Sequence, residues 1–127
     1  MLQHIIHYFL HFGAPLFIAI IFFRDEWQKT YIIFLLTMLI DLDHIIATPI
    51  FDSNRCSINF HPLHSYYATF FYTLLLFLKK PFKLIGLGLL LHILTDFIDC
   101  FMTYSKCNNC IFDESVEELI LFLKNLI

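Results

Sequence analysis

Residues 84–104 read LIGLGLLLHILTDFIDCFMTY. Neither an acid nor a lysine or arginine occurs from Leu84 to Thr95, after which Asp96 and Asp99 interrupt an apolar run that continues to Tyr104. At about 1.5 Å per residue, a helix of that length crosses a hydrocarbon core of about 30 Å. It can do so only if both carboxylates are satisfied inside protein, since an acid near the bilayer centre costs on the order of 3 kcal/mol even on a lenient insertion scale. A helix turns about 100° per residue, so His92, Asp96 and Asp99 share one face. This stretch alone predicts a membrane span with an inward polar stripe.

The rest of the chain repeats that pattern. Met1–Phe23 and Cys56–Leu78 contain no Asp, Glu, Lys or Arg, and Thr30–Phe51 is apolar apart from Asp41, Asp43 and His44. The reading is an all-α, multi-pass membrane four-helix bundle: a single membrane domain over 1–127 with spans at 4–23, 30–51, 61–78 and 84–104. Composition agrees. The 127 residues are 59% hydrophobic and 15% charged, with a mean hydropathy of +0.74, too little polar surface for a water-soluble domain. A net charge of -3 with scattered basic residues argues against a nucleic-acid partner. A cleaved signal peptide is disfavoured because Met1-Leu2-Gln3-His4 lacks a positive n-region and no A-x-A-like site follows. At the other end, 113–127 predicts an amphipathic helix, too short for a span, with Val116, Leu119, Ile120, Leu123 and Ile127 on one face and Glu114, Glu117 and Glu118 near its start.

Arg24, Lys29, Lys79, Lys80 and Lys83 fall in the first and third turns, whereas the second turn has Arg55 and the tail Lys106 and Lys124. The first and third turns are therefore expected in the cytoplasm, with both termini outside. His4, His7 and His11 then lie in the first half of helix one and Asp41, Asp43 and His44 in the second half of helix two. His61 and His64 open helix three, and His92, Asp96 and Asp99 occupy the later part of helix four. Because alternate helices run in opposite directions, these side chains converge on one layer towards the outer side. Each helix offers a pair three or four residues apart, as bundle proteins do when they build carboxylate and histidine metal sites; Asp43 alone points elsewhere. No Lys or Arg falls within the spans to pair with the acids, which leaves protonation or a bound cation.

The segments Leu39-Ile40-Asp41-Leu42-Asp43-His44, His61-Pro62-Leu63-His64-Ser65 and Gly88-Leu89-Leu90-Leu91-His92-Ile93-Leu94-Thr95-Asp96 resemble, in order and type, the motifs of a family of multi-pass bacterial inner-membrane proteins assigned as metal-dependent hydrolases. The likeness covers roughly residues 4–104 and departs in the closer spacing of the paired histidines and in the shortness of the chain. It implies a bacterial inner (cell) membrane location and a metal-dependent hydrolase activity.

Imidazole with carboxylate suits Zn, Mn or Fe, Zn being the default, as one or two divalent ions. The candidate ligands are His7, His11, Asp41, His44, His61, His64, His92 and Asp96; Asp43 and Asp99 are candidates for a general base or for orienting a ligating imidazole. Such ions would acidify water and polarise a carbonyl or phosphoryl oxygen. A site near the lipid interface suggests an amphiphilic substrate such as a phospholipid or other lipid ester, with membrane lipid as the natural partner. Three other readings compete. A heme or electron-transfer protein could use paired histidines but leaves the aspartates superfluous; an ion or proton conductor would need a polar path through the other half of the bilayer; a non-catalytic metal-binding or structural network would need no reaction at all. Cys56, Cys100, Cys107 and Cys110 fall on the predicted outer side, where disulfides persist. For Cys107-Asn108-Asn109-Cys110 a structural disulfide ranks ahead of a soft metal site or a redox pair.

Overall fold

The computed structural model describes residues 2–50, 52, 54–107 and 110–127. The chain is all-helical, and among these residues the sole β-type pairing is an isolated bridge between Arg55 and Ile111. The first element is a continuous rod: α1 (Leu2–Tyr8), a wide π turn (Phe9–Gly13) and α2 (Ala14–Phe22). Pro15 stands in the first turn of α2. It has no N–H to return to the carbonyl four residues back, and the chain widens into the π turn immediately before it.

The second element begins earlier than the expected residue 30 and changes winding part-way. An α-helix, α3 (Trp27–Leu36), passes directly into a 3-10 segment (Thr37–Ile46). At the junction the Thr37 hydroxyl donates to the Phe34 carbonyl at 2.6 Å, competing with the α ladder for that acceptor. A 3-10 helix has three residues per turn, so positions three apart eclipse; accordingly Thr37, Ile40 and Asp43 are the buried residues of this segment. The expectation that helicity persists to 51 is corrected: Ala47 is already extended, and Phe51 lies outside the described residues.

Nor do His61 and His64 open a helix. His61 is held extended in front of Pro62, which begins a short 3-10 turn (Pro62–His64), as expected for a residue preceding proline. Ser65 then caps α4 (Tyr66–Leu75) by accepting from the Ala68 amide. The longest helix, α5, covers Phe82–Tyr104, and α6 covers Glu114–Leu126 behind its cap, Asp113.

α5 is the central helix, packed against α3, α4, the 3-10 segment and the rod. Two glycines permit that approach on different faces. A Cβ at Gly86 would sit 2.8 Å from the Tyr72 carbonyl and 2.7 Å from Leu75 Cβ; one at Gly88 would sit 2.8 Å from the Thr37 side chain. The first and third turns meet at one end, where Lys80 pairs with Glu26. At the opposite end a Cys56–Cys100 disulfide ties the second turn to α5, and a core of Ile40, Ile58, Tyr72, Ile93, Val116 and Ile120 surrounds it. Cys107 and Cys110 form a second disulfide; Asn108 and Asn109 between them lie outside the described residues.

Much of the exterior is apolar: Tyr67 is 89% exposed and Phe77 82%. Two helical stretches, Leu2–Phe22 and Phe82–Tyr104, are long and apolar enough to cross a membrane.

Candidate metal centre

α5 contributes the floor of the site. His92 and Asp96, four residues apart, are both buried on the same helical face. The 3-10 segment brings Asp41 across, the turn before α4 brings His64, and the π turn brings His11. His92 Nε2 lies 3.1 Å from Asp41 Oδ1 and 3.3 Å from Asp96 Oδ2; His64 Nε2 lies 3.0 Å from that same Asp96 oxygen. The two imidazole Nε2 atoms are 3.4 Å apart, both aimed into the space bounded by the carboxylates. One ligating atom from each of Asp41, His64, His92 and Asp96 falls within 4.8 Å of all the others.

Asp96 also faces a second group. Its Oδ1 is 3.3 Å from His11 Nε2, and His7, His11 and Asp96 satisfy the same mutual spacing. The His7 and His11 rings are 4.4 Å apart. One carboxylate thus presents Oδ2 to one nitrogen cluster and Oδ1 to another. His7 Nδ1 and His11 Nδ1 are buried without an aligned hydrogen-bond partner, and buried Asp96 Oδ2 is crowded by two imidazole nitrogens within 3.3 Å. Unsatisfied buried polar atoms are rare because each one costs desolvation free energy with nothing in return. A cation among convergent N and O donors would relieve this crowding, so these residues could hold a metal ion.

Around these atoms lies a supporting layer. Asp43 is 3% exposed, and its Oδ2 lies 3.1 Å from His64 Nδ1 while also accepting from the Leu63 amide at 2.8 Å. An Nδ1–H donated to a carboxylate leaves Nε2 with its lone pair directed inward, the arrangement that orients ligating histidines. The expectation that Asp43 points away from the site is therefore corrected: eclipsed 3-10 winding turns it inward. Asp99 accepts from Gln3 Nε2 at 3.0 Å and lies 3.7 Å from His7 Nδ1, beside the cluster and not within it.

Two expected ligands stand differently. The Nδ1 of His44 is 3.1 Å from Asp43 Oδ1 and its Nε2 is 3.1 Å from Ser57 Oγ, so both ring nitrogens already face protein partners; among the described residues its ligand-like spacing is with Asp43 and His64, and its Nδ1 stands 3.7 Å from Asp41 Oδ1. His61 is buried and stacks on His44 with ring centroids 4.0 Å apart. It belongs to none of the ligand groups among the described residues, because the extended conformation before Pro62 carries it past the cluster. His7, His11, Asp41, His64, His92 and Asp96 are the residues that converge. Three further polar or soft side chains reach the layer without any periodic or motif signal in the sequence: Ser57, Gln3 and Met38, whose sulfur lies 3.2 Å from His92 Nδ1.

A cavity of about 330 Å³ opens onto this layer, lined among others by His7, Asp41, Ser57, His61, Asp96 and Asp99. Arg55 also lines it, but its guanidinium donates to the Pro49 and Ile50 carbonyls and rests 4.7 Å from the Phe60 ring centre. Among the described residues no lysine lines the cavity.

Comparison with known families matches residues 1–103 to DUF6122, a family of unknown function. The chain belongs to DUF6122. No curated protein and no solved structure matches it. The DUF6122 region contains the whole histidine and aspartate layer and the Cys56–Cys100 bridge, and ends before the Cys107–Cys110 bridge and α6.

Proposed function

We propose that this protein is a multi-pass membrane metallohydrolase with a two-ion His/Asp centre, acting on a lipid or phosphoester substrate. The observation that carries the reading is Asp96: a buried carboxylate whose two oxygens face separate histidine groups, Oδ1 towards His11 and Oδ2 towards His64 and His92. Asp41, His64, His92 and Asp96 would hold one ion, and His7, His11 and Asp96 the other. Zn is the default for this donor set, with Mn or Fe as alternatives. When bound, such ions supply Lewis acidity and an acidified water, the chemistry of two-metal hydrolases. The chain's own residues do the rest. Asp43 orients His64, and Asp99 stands beside His7 as a candidate proton acceptor at the cavity wall.

Beyond the two long apolar stretches, length supports a third crossing. A 3-10 helix rises about 2.0 Å per residue against about 1.5 Å for an α-helix, so Trp27–Ile46 extends roughly 35 Å, enough for the core of a bilayer. α4 is shorter, but its exposed Tyr67, Phe70 and Phe71 suit lipid better than water. The basic first and third turns would face the bacterial cytoplasm and the centre the outer side of the inner membrane. An apolar groove of about 430 Å³ includes Ile40 and Leu63, the chain neighbours of Asp41 and His64; its apolar lining beside the centre suits an acyl chain and thus an amphiphilic substrate.

The test is elemental analysis of detergent-purified protein. Wild type should carry close to two Zn, Mn or Fe ions per chain, Asp41→Ala and His92→Ala about one, and Asp96→Asn fewer than either, with circular dichroism unchanged. Metal-free wild type after controlled reconstitution would sink the reading.

A further inference from the structure

Beside the residues proposed to hold the ions, the Oγ of Ser57 lies 3.1 Å from His44 Nε2, and the Nδ1 of that same ring lies 3.1 Å from Asp43 Oδ1 and, more distantly, 3.7 Å from Asp41 Oδ1. Hydroxyl, imidazole and carboxylate stand in series at hydrogen-bond distance, the geometry by which nucleophilic relays are recognised irrespective of fold or order in the chain. We propose that Ser57, His44 and Asp43 form a nucleophile, base and orienting carboxylate for acyl transfer from an ester bound in the cavity.

Four features support a working relay over an incidental contact. Ser57 and His44 both line the 330 Å³ cavity, so the hydroxyl is accessible to a small ester. The base is held on three sides: by Asp43 below, by Ser57 ahead and by the His61 ring stacked on its face. The nucleophile is held by its neighbours, since Cys56 is bridged to Cys100 and the Ser57 carbonyl accepts from the Phe60 and His61 amides. Asp43 serves His44 through Oδ1 and His64 through Oδ2, so one carboxylate positions both imidazoles. This also gives His61 a role that ligation does not: it is the wall that fixes the plane of the base.

The step balances within the chain and the ester. Ser57 Oγ bonds to the acyl carbon while its proton passes to His44 Nε2; the bond to the leaving alkoxide breaks and that oxygen takes the proton from His44. Water then attacks the acyl-serine in the reverse sense and releases the carboxylic acid. The relay itself requires no cation, which separates this proposal from the metallohydrolase reading.

The test is covalent capture. Detergent-purified full-length protein is treated with a small alkyl fluorophosphonate, with and without prior chelation, and the modified peptide is mapped by mass spectrometry. Reaction forms an Oγ–P bond and expels fluoride, the serine proton leaving through His44. Expected is one label on Ser57 in both samples, absent in Ser57→Ala. His44→Gln retains hydrogen-bonding capacity towards both neighbours but cannot take the proton, so it should slow labelling by about 100-fold or more while leaving circular dichroism unchanged. An unlabelled Ser57 in folded wild type would overturn the proposal. So would unchanged labelling in folded His44→Gln, or labelling that vanishes on chelation, which would assign the reactivity to the ion-binding cluster.

Discussion

Asp43 occupies its position because a carboxylate has two acceptor oxygens and two imidazoles need one each. Its Oδ2 faces His64 Nδ1 and its Oδ1 faces His44 Nδ1, both at 3.1 Å. In Asp43→Asn one of those acceptors becomes a donor, and the His64 tautomer with Nε2 free for a cation is no longer favoured. We expect metal affinity to fall about 10- to 100-fold with the fold retained, read by competition with a chelator of known affinity. Thr95 is a bland counterpart: its hydroxyl returns to the Leu91 carbonyl at 3.0 Å and serves its own helix. A motif containing both a candidate ligand and such a residue, Leu91-His92-Ile93-Leu94-Thr95-Asp96, does not by itself say which polar group faces the site.

Among elements, α5 is constrained most, since it is wedged between neighbours and has glycine where they come closest. The backbone carbonyl of Tyr72 cannot yield as a flexible side chain could, so Gly86→Ala should push α4 outward and cost about 1–3 kcal/mol, seen as a lowered Tm in detergent. α6 is held differently. Asp113 accepts from the Ser115 amide at the start of the helix, and hydrogen bonds from Ser115 and Asn59 hold its carboxyl below the usual 3.8. A carboxyl depressed in the folded state stabilises it fully above that usual value and loses the contribution as pH falls through the folded value. Acidification below about pH 4 should therefore loosen the start of α6, and Asp113→Asn should remove that component of the change in circular dichroism. The effect is small because solvent screens a group at the surface, where Asp113 is only partly covered.

At the scale of the molecule, the Cys56–Cys100 bridge joins positions 44 residues apart and fastens the loop bearing Ser57, His61 and His64 to the helix bearing His92 and Asp96. Replacing both cysteines by alanine should cost about 2–4 kcal/mol by freeing the unfolded chain. It should also weaken cation retention, because ligands from the loop and from α5 then separate more easily; thermal unfolding and metal content of the same sample would report both. The Cys107–Cys110 bridge closes a loop with a separation of only 3 and fastens no two ligand-bearing elements, so its double alanine variant should leave metal content unchanged.

Local rules were enough for part of this picture. An apolar run of helix-forming residues with His92, Asp96 and Asp99 at helical spacing has to be a helix with a polar stripe, because four-residue spacing is a property of the helix itself. That made α5, the amphipathic α6 and the membership of His92, Asp96, Asp41, His64, His11 and His7 in one layer legible in the amino-acid sequence. The remainder depended on contacts between distant segments. Whether residues 37–46 wind as α or 3-10 is a near balance that packing against α5 and the Thr37 hydroxyl tip one way, and that winding turns Asp43 inward. Pro62 signals a break, but where His61 comes to rest is set by the His44 ring it stacks upon. Ser57 meets His44 across a sequence separation of 13, a proximity with no periodic signature, since only tertiary closure brings a loop hydroxyl to a helical imidazole.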